Sequence, residues 1–295
     1  SAGRSPEIAG TRVYEPAGAD PQGRKIGGTR GEHGKTPVLF TPKGELDALK
    51  IPSLGADRWP PPQRPGLPAH STPYAHGMKK FNVLVVHCAY QLQGGEDLVV
   101  DAEVALMREM GHDVRVYLRR NDDIQHMPVW QVARDTIWSP QTLKDLRAVT
   151  NSWRPDIIHV HNTTLLISPS IFWAAAELGI PVVQTLHNFR TACLSATFLR
   201  EGKVCEDCLG KAPLAGIARA CYRGSKAQSA VLASSIMTHR WRGTYQRKVN
   251  RFITLTRFAR DKVVASGLPA NRIDVKPNFV PITPPPPPTT VRQGG

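Results

Sequence analysis

The sequence predicts an α/β fold built on a doubly wound parallel sheet, and three observations support it. From Met78 onward, apolar strand-like runs alternate with segments of helical period. The first run, residues 81–86, is almost continuously apolar, which is typical of a strand buried on both faces. The helical segments end at glycine or before proline. Strands that alternate with helices in this way pair in parallel and carry helices on both faces.

The elements follow one another in a regular order. Strand 81–86 leads to a helix over 96–110, which Gly111 ends, and a second strand covers 113–118. A helix over 141–153 stops before Pro155, and strand 156–160 follows. A helix over 168–178, closed by Gly179, precedes strand 181–186. After an irregular stretch, the pattern predicts a helix over 228–249, a strand over 252–255, a helix over 257–265 and a strand over 273–276.

Composition divides the chain into three parts. Residues 1–77 are rich in glycine and proline and poor in large aliphatic side chains, so they are predicted to be a disordered leader. Residues 78–281 form the α/β domain, with a four-cysteine insert at 190–224. Residues 282–295 contain the proline tract Pro284 to Pro288, which is typical of an interdomain linker, and we expect this linker to be truncated.

The net charge of +14 is concentrated in one part of the domain. Residues 190–262 carry fifteen basic side chains against four acidic ones, which favours an anionic partner such as a phosphate or an anionic membrane surface. The alternative is a solvated basic face. Nucleic acid is not expected as a partner, because no RNA- or DNA-binding motif accompanies the charge. No apolar segment reaches the roughly 18 residues of a membrane span, so the sequence predicts a cytoplasmic protein, peripheral at most at the inner membrane face.

Two glycines follow the first strand at the start of a helix. Gly94 and Gly95 would let a backbone approach a ligand closely, and helix N–H groups next to Glu96 favour anions. The pair is therefore a candidate phosphate- or sugar-binding loop, with a simple tight turn as the alternative. The dinucleotide fingerprint is missing from this sequence, which argues against a nicotinamide-dependent oxidoreductase.

Histidines stand at the carboxyl ends of two further strands, where ligands bind in such sheets. The third strand ends in His159, His161 and Asn162, and the two histidines share one face, as metal ligands on a strand do. We find no acidic ligand motif beside them, which disfavours a metal hydrolase. The fourth strand leads to His187 and Asn188, and His187 is the best candidate for chemistry because imidazole can bond a hydroxyl or phosphate oxygen.

Four of the five cysteines lie in the insert: Cys193, Cys205, Cys208 and Cys221. Their number, and the C-x-x-C spacing of Cys205 and Cys208, suit a closed tetrahedral zinc site of structural type. The outer spacings match no standard zinc finger, so small packed cysteines or a redox pair remain alternatives.

Several motifs together resemble the N-terminal domain of family 4 glycosyltransferases, retaining enzymes of the GT-B architecture. They are Gly94-Gly95-Glu96, "RPDIIHVHN", "PVVQTLHNFR", "GKVCEDCLG", "CYRGS" and the stretch from Phe252 to Val280. The resemblance runs over residues 78–280, and the cysteine insert is similar to a bacterial subset of the family. It implies a Rossmann-like domain that binds the acceptor, a glycan or a lipid-linked molecule, while a C-terminal domain holds the nucleotide sugar.

The resemblance also implies roles for individual residues. Gly94 and Gly95 would border the donor phosphate and the acceptor, and His187 would contact the transferred sugar as the catalytic residue. Glu96, His161, Asn162 and Asn188 are predicted to bind substrate. The chemistry needs no cofactor. Because the family's basic pair and glutamate motif lie in the C-terminal domain, we expect residues 1–295 to be inactive alone and to bind nucleotide sugar only weakly.

One alternative function belongs to a different class. A non-catalytic binding module with a zinc-bound loop could use the basic surface to contact nucleic acid or a protein. Steep salt dependence of binding to DNA or RNA would favour this alternative over the enzyme.

Overall fold

A seven-stranded sheet forms the centre of the structure, a computed structural model that describes residues 12–14, 79–91 and 94–279. Its strand order is β1-β3-β2-β4-β5-β8-β9, and β6 and β7 pair separately. The strands are β1 (Arg12–Tyr14), β2 (Asn82–Ala89), β3 (Asp113–Arg120), β4 (Ile157–Asn162), β5 (Val182–Leu186), β6 (Leu199–Arg200), β7 (Lys203–Val204), β8 (Arg251–Thr254) and β9 (Ile273–Val275). All neighbours in the large sheet are parallel except β1, which is antiparallel to β3. The predicted doubly wound parallel sheet is confirmed.

Helices connect the parallel strands. They are α1 (Gly95–Glu109), α2 (Val129–Ile137), α3 (Pro140–Ser152), α4 (Ser170–Glu177), α5 (Leu214–Ala218), α6 (Lys226–Trp241), α7 (Thr244–Lys248) and α8 (Arg257–Ala265). Single 3₁₀ turns cover Asn121–His126 and Ala270–Arg272. Within the part of the chain that the structure describes, no helix combines the length and apolarity that a membrane span requires.

Side-chain caps fix where several helices begin. Ser139 accepts a hydrogen bond from the Thr142 backbone N–H at the start of α3, and Pro140 occupies the first helical position. Thr256 caps α8 in the same way through the N–H of Ala259. These starts agree with the sequence prediction to within a residue or so.

The helix predicted over 228–249 is wrong in one respect. Gly243 adopts a left-handed conformation with φ of 60°, which ends α6 and lets α7 begin at Thr244. The hydrophobic period continues across the break, so the pattern alone predicts one helix. The sequence analysis also missed α2, and within the insert it missed α5 and the β6–β7 hairpin.

The described part of the leader is short. Strand β1 lies inside the stretch 1–77, which was predicted to be disordered, and its backbone extends the sheet beyond β3. The other residues of that stretch, and the predicted linker 282–295, lie outside the described residues.

Each face of the sheet packs against its own helices. On one face, Val83 and Val85 of β2 contact Val100 and Val104 of α1. On the other face, Leu84 and Val86 join a larger core that includes Phe172 of α4. The strict alternation along β2 explains why its run of apolar residues is almost unbroken.

The strand order places a crevice at the carboxyl end of the sheet. After β2 the chain forms β3 on one side of β2, and it then returns to form β4 on the other side. Loops after β2 and β4 therefore diverge, and ligands of doubly wound folds bind at such a switch point.

Candidate active site

The loops after β2, β4 and β5 bring most of the predicted substrate residues around one cleft. Glu96, His161, Asn162, His187 and Asn188 all line it. Gly94 and Gly95 lie immediately before Glu96, at the N-terminus of α1. These seven residues come from three separate segments of the chain. The fold brings the segments together at the switch point.

Four histidines lie next to one another beneath this cleft, and we call them the histidine cluster: His87, His159, His161 and His187. His161 Nδ1 lies 2.9 Å from His187 Nε2, and the two rings are stacked. The His159 and His161 rings are 4.3 Å apart between centroids. The His87 ring meets the His161 ring edge-on. The cluster thus links the cleft to the interior of the sheet.

Glu103 of α1 is the acidic residue at the base of the histidine cluster. Its Oε2 lies 3.8 Å from His159 Nδ1 and 3.7 Å from His161 Nε2. Its Oε1 accepts a hydrogen bond of 2.7 Å from the ammonium of Lys276. Because Glu103 is buried, Lys276 supplies the compensating charge that a carboxylate needs there.

Glu103 corrects one statement of the sequence analysis. We found no acidic ligand near His159 and His161, yet Glu103 approaches both, and the ligand atoms of these three residues lie within 4.8 Å of one another. Glu103 sits 56 residues before His159 in sequence, so spacing could not reveal the contact. Its ion pair with Lys276 shows that the carboxylate already has a cationic partner within the protein.

Burial keeps the histidine cluster uncharged. It lowers the pKa of His87, His159 and His161, and it lowers the pKa of His187 to about 4. Neighbouring histidines add to this effect, because two imidazolium ions a few ångströms apart repel each other. Near neutral pH each ring therefore has one N–H donor and one nitrogen acceptor.

Asp97 fixes the glycine loop to the histidine cluster. Its Oδ1 lies 2.7 Å from His87 Nε2, and its Oδ2 accepts a 2.7 Å hydrogen bond from the backbone N–H of Gly94. One buried carboxylate therefore holds both the end of β2 and the start of α1. The sequence analysis missed Asp97 and His87, although Asp97 occupies the third helical position, where acidic residues often bond the N-cap backbone.

Replacing Asp97 with alanine is expected to destabilise the fold by about 2 to 3 kcal/mol, since it leaves a buried imidazole and a backbone N–H without their acceptor. Urea denaturation measures the change. Asp101→Ala provides the control, because Asp101 lies one turn further along α1 and is exposed; it should change the stability by less than about 0.5 kcal/mol. Equal effects of the two variants would contradict the role given to Asp97.

A second polar group lies at the cleft wall. Glu96 accepts a 3.1 Å hydrogen bond from the Tyr90 hydroxyl, and Arg190 also lines the cleft. Burial raises the pKa of Glu96 to about 7, while the Tyr90 bond and the Arg190 charge oppose the rise. Glu96 can therefore donate or accept a hydrogen bond at neutral pH, which suits a sugar hydroxyl.

Arg190 was not among the predicted site residues. Its guanidinium donates to the carbonyl oxygen of Leu194 and stacks over the Tyr222 ring, 5.1 Å from its centroid. These contacts orient the cation at the cleft, where it could bind phosphate oxygens. The sequence signal is an arginine three residues after the strand-end histidine His187, and it does not stand out within the basic segment.

Two of the predicted substrate residues also shape their own loops. Asn162 donates to the carbonyl of Cys88 at 2.9 Å and accepts from the N–H of Thr164 at 2.8 Å. Asn188 accepts from the backbone N–H of Arg190 at 3.0 Å. Asn162 thus joins β2 to the loop after β4, and Asn188 turns the chain so that Arg190 faces the cleft.

Neither backbone conformation nor local packing explains why positions 94 and 95 are glycine. Gly94 has φ of −109°, a value open to any residue, and a Cβ on Gly95 would meet no described atom within 4 Å. Neither a turn nor internal crowding therefore requires glycine here. A ligand or another part of the protein approaching this backbone would require it.

The four cysteines of the insert face one small cavity. Cys193 follows the turn after β5, Cys205 and Cys208 follow the β6–β7 hairpin, and Cys221 follows α5. All four are free thiols in the structure. The four cysteines that were predicted as candidate zinc ligands therefore line the same cavity.

Comparisons with known proteins give a family for this chain. The family model described as "Glycosyl transferase 4-like domain" matches residues 94–278. No curated protein gives a significant match.

Among solved structures, Anabaena Alr3699/HepE in complex with UDP is 13% identical, with 68% of this chain and 44% of that chain covered and a TM-score of 0.32. S. aureus MnaA with UDP is 11% identical, with 66% and 44% covered and a TM-score of 0.38. UDP-N-acetylglucosamine 2-epimerase from Rickettsia bellii is 13% identical, with 67% and 45% covered and a TM-score of 0.38. This chain spans less than half the length of each. The family match, which covers well over half of the chain, shows that the protein belongs to the glycosyl transferase 4-like domain family.

Proposed function

We propose that the chain is the acceptor-binding half of a retaining glycosyltransferase, which moves a sugar from a nucleotide sugar to a glycan or a lipid-linked acceptor. The observation that supports this most directly is the cleft at the switch point, where His187, Glu96 and Arg190 meet in a domain of this family. The nucleotide sugar would be held mainly by a second domain, as the family resemblance implies.

The histidine cluster gives His187 a defined hydrogen-bonding state. With Glu103 as an anion, the proton of His161 favours Nε2, which faces the carboxylate at 3.7 Å. His161 Nδ1 then accepts from His187 Nε2–H. That leaves Nδ1 as the available acceptor of His187, a residue that lines the cleft, and it could orient a sugar hydroxyl.

Charge near the cleft suits the reaction. In a retaining transfer the departing diphosphate and the incoming hydroxyl share one face of the sugar, so stabilising the departing charge is the main task. Arg190 and the N-terminus of α1 at Gly94 and Gly95 can favour phosphate oxygens on this side. Glu96 can bond an acceptor hydroxyl.

The function can be tested with the complete natural protein that contains this chain. It would be incubated with radiolabelled UDP-, GDP- and dTDP-hexoses and a lipid and glycan extract of its source organism. We expect label to enter the acceptor fraction, with the anomeric configuration of the donor retained when the product is analysed by NMR. Failure of every donor to be consumed would contradict the function. Micromolar binding of a nucleotide sugar to residues 1–295 alone, measured by calorimetry, would contradict the division of labour.

Gly95→Ala separates a ligand role from a structural one. Gly95 is the first residue of α1 and has open space at its Cβ, so alanine should leave stability unchanged or raise it by up to about 1 kcal/mol. If substrate approaches this backbone, sugar transfer falls by roughly 10-fold or more, about 1.4 kcal/mol of lost binding. The control is Glu109→Ala at the exposed far end of the same helix. If Gly95→Ala retains full activity, the glycine loop does not bind substrate.

A further inference from the structure

The cavity in the insert points to a bound metal ion. We propose that Cys193, Cys205, Cys208 and Cys221 together bind one zinc ion as a closed site of structural type. The four thiols come from three segments separated in sequence, and all of them line the same small cavity. A tetrahedral ion requires four ligands around one space, and cysteines from three separate segments around one cavity provide them.

The cysteine sulfurs are farther apart in this structure than they would be around a bound zinc ion. Zinc bound at about 2.3 Å from each sulfur holds the sulfurs roughly 3.8 Å apart. Among the described residues, no three of these sulfurs lie within 4.8 Å of one another. Zinc would therefore draw the segments toward the cavity. Cys205 directly follows β7, Cys208 is in the next turn and Cys221 is in the turn after α5, so no helix or strand fixes these three residues.

Cationic side chains around the cavity suit a zinc–thiolate centre. Four thiolates and one Zn²⁺ carry a net charge of −2. Arg200 and Arg219 line the same cavity. The Arg219 guanidinium lies 3.9 Å from Cys205 Sγ and also bonds Asp207. Hydrogen bonds and positive charge next to the sulfurs are the outer-shell support that metal thiolates need.

The insert has little regular structure and only a small apolar core of its own. Over residues 190–224 its regular structure is a hairpin of two-residue strands and the five-residue helix α5. Most of its buried apolar residues belong to two small clusters, one around Leu194 and one around Phe198, and Tyr222 packs against the main core. Segments with so small a core commonly depend on a metal or on disulfides.

The zinc centre would also stabilise the cleft wall. The insert begins at Arg190, which lines the cleft, and Arg190 bonds Leu194 next to the first cysteine. Arg240 of α6 donates to the carbonyls of Thr191 and Lys211, and Lys262 of α8 pairs with Glu206. Loss of the ion is thus expected to loosen Arg190 as well as the insert. The zinc proposal itself does not depend on the proposed function.

The experiment measures the metal content of the full chain, purified with reductant, by inductively coupled plasma mass spectrometry. We expect one zinc per chain. Cys205→Ser and Cys208→Ser should each lower that content several-fold, while Cys205→His should keep it, because histidine is a good zinc ligand. Cys88→Ser is the matched control: Cys88 is buried in β2, away from the insert, and bonds Asn121.

Cobalt substitution provides a second readout that does not depend on how well the serine variants fold. Wild-type chain loaded with Co²⁺ should show the intense thiolate charge-transfer bands of a tetrahedral four-sulfur centre, and Cys205→His should show weaker ones. The proposal is overturned if the folded wild-type chain holds no zinc, or if thiol counting and mass mapping find disulfides among the four cysteines. It is also overturned if zinc remains in the cysteine variants but leaves His159→Ala, which would place the ion at Glu103, His159 and His161 instead.

Discussion

Replacing His187 with alanine is expected to lower the kcat of the proposed sugar transfer by about 100-fold or more, the usual contribution of a side chain that bonds a reacting group. The reason lies in its two ring nitrogens. His161 restrains Nε2, so the His187 ring at the cleft has little freedom left to lose when substrate binds, and Nδ1 remains available to it. Alanine removes this contact, and the other histidine that lines the cleft, His161, has a fully buried side chain.

The measurement separates kcat from KM in the complete natural protein. A residue that hydrogen-bonds the reacting group affects mainly kcat, whereas a residue that only shapes the cleft affects mainly KM or stability. His187→Asn, which keeps a polar group near the same position, should recover part of the rate. His126→Ala is the control, because His126 is exposed in the 3₁₀ turn after β3. If His187→Ala retains full kcat, the catalytic role is wrong.

The parallel part of the sheet followed from the sequence because each of its strands has a local signature, whereas β1 has none. The apolar run of β2, Gly111 after α1 and Pro155 before β4 mark boundaries without any knowledge of contacts. The break at Gly243 escaped prediction because a single left-handed glycine does not disturb hydrophobic period. Helix α2 was not predicted although Val129, Val132 and Ala133 follow a helical spacing; it is only nine residues long, and Val129 and Trp130 are exposed.

The site was predictable only in part. Strand-end position identified His161 and His187, since topology alone places such residues at the cleft. Glu103 and Lys276 could not be found this way. They lie 173 residues apart, and their ion pair forms only when α1 and the segment after β9 cover the same face of the sheet. Long-range pairing of this kind has no period or spacing in the sequence.

The histidine cluster is expected to make the folded state sensitive to mild acid. Histidine titrates near pH 6.5 in an unfolded chain, but in the folded protein burial lowers the pKa of all four rings. The unfolded state therefore binds more protons below pH 6.5, so stability is fully present above that pH and is lost as the pH falls toward 4. For His187 alone, a fall in pKa from 6.5 to about 4 corresponds to at most about 3 kcal/mol.

Charged groups near the cluster set the size of this loss without changing its direction. Asp97 opposes the lowering of the His87 pKa, and Glu103 opposes that of His159, but burial outweighs both. Lys276 and the neighbouring rings lower the His187 pKa further. Glu96 acts in the opposite sense: because its pKa is raised to about 7, its contribution to stability grows as the pH falls from 7 toward 4.5. One such carboxyl offsets only part of the effect of four histidines.

Urea denaturation at pH 7.5 and pH 5 tests this balance, and we expect the free energy of unfolding to be lower at pH 5 by roughly 2 kcal/mol or more. His187→Gln should reduce the difference, because glutamine can keep a hydrogen bond to His161 but does not titrate. His126→Gln is the control and should leave the difference unchanged, because His126 is exposed and lies outside the cluster. Equal stability at the two pH values would mean that the cluster is solvated, and His187 could then carry a charge at the cleft. The neutral acceptor state that we assign to His187 therefore depends on the same burial that makes the fold acid-sensitive.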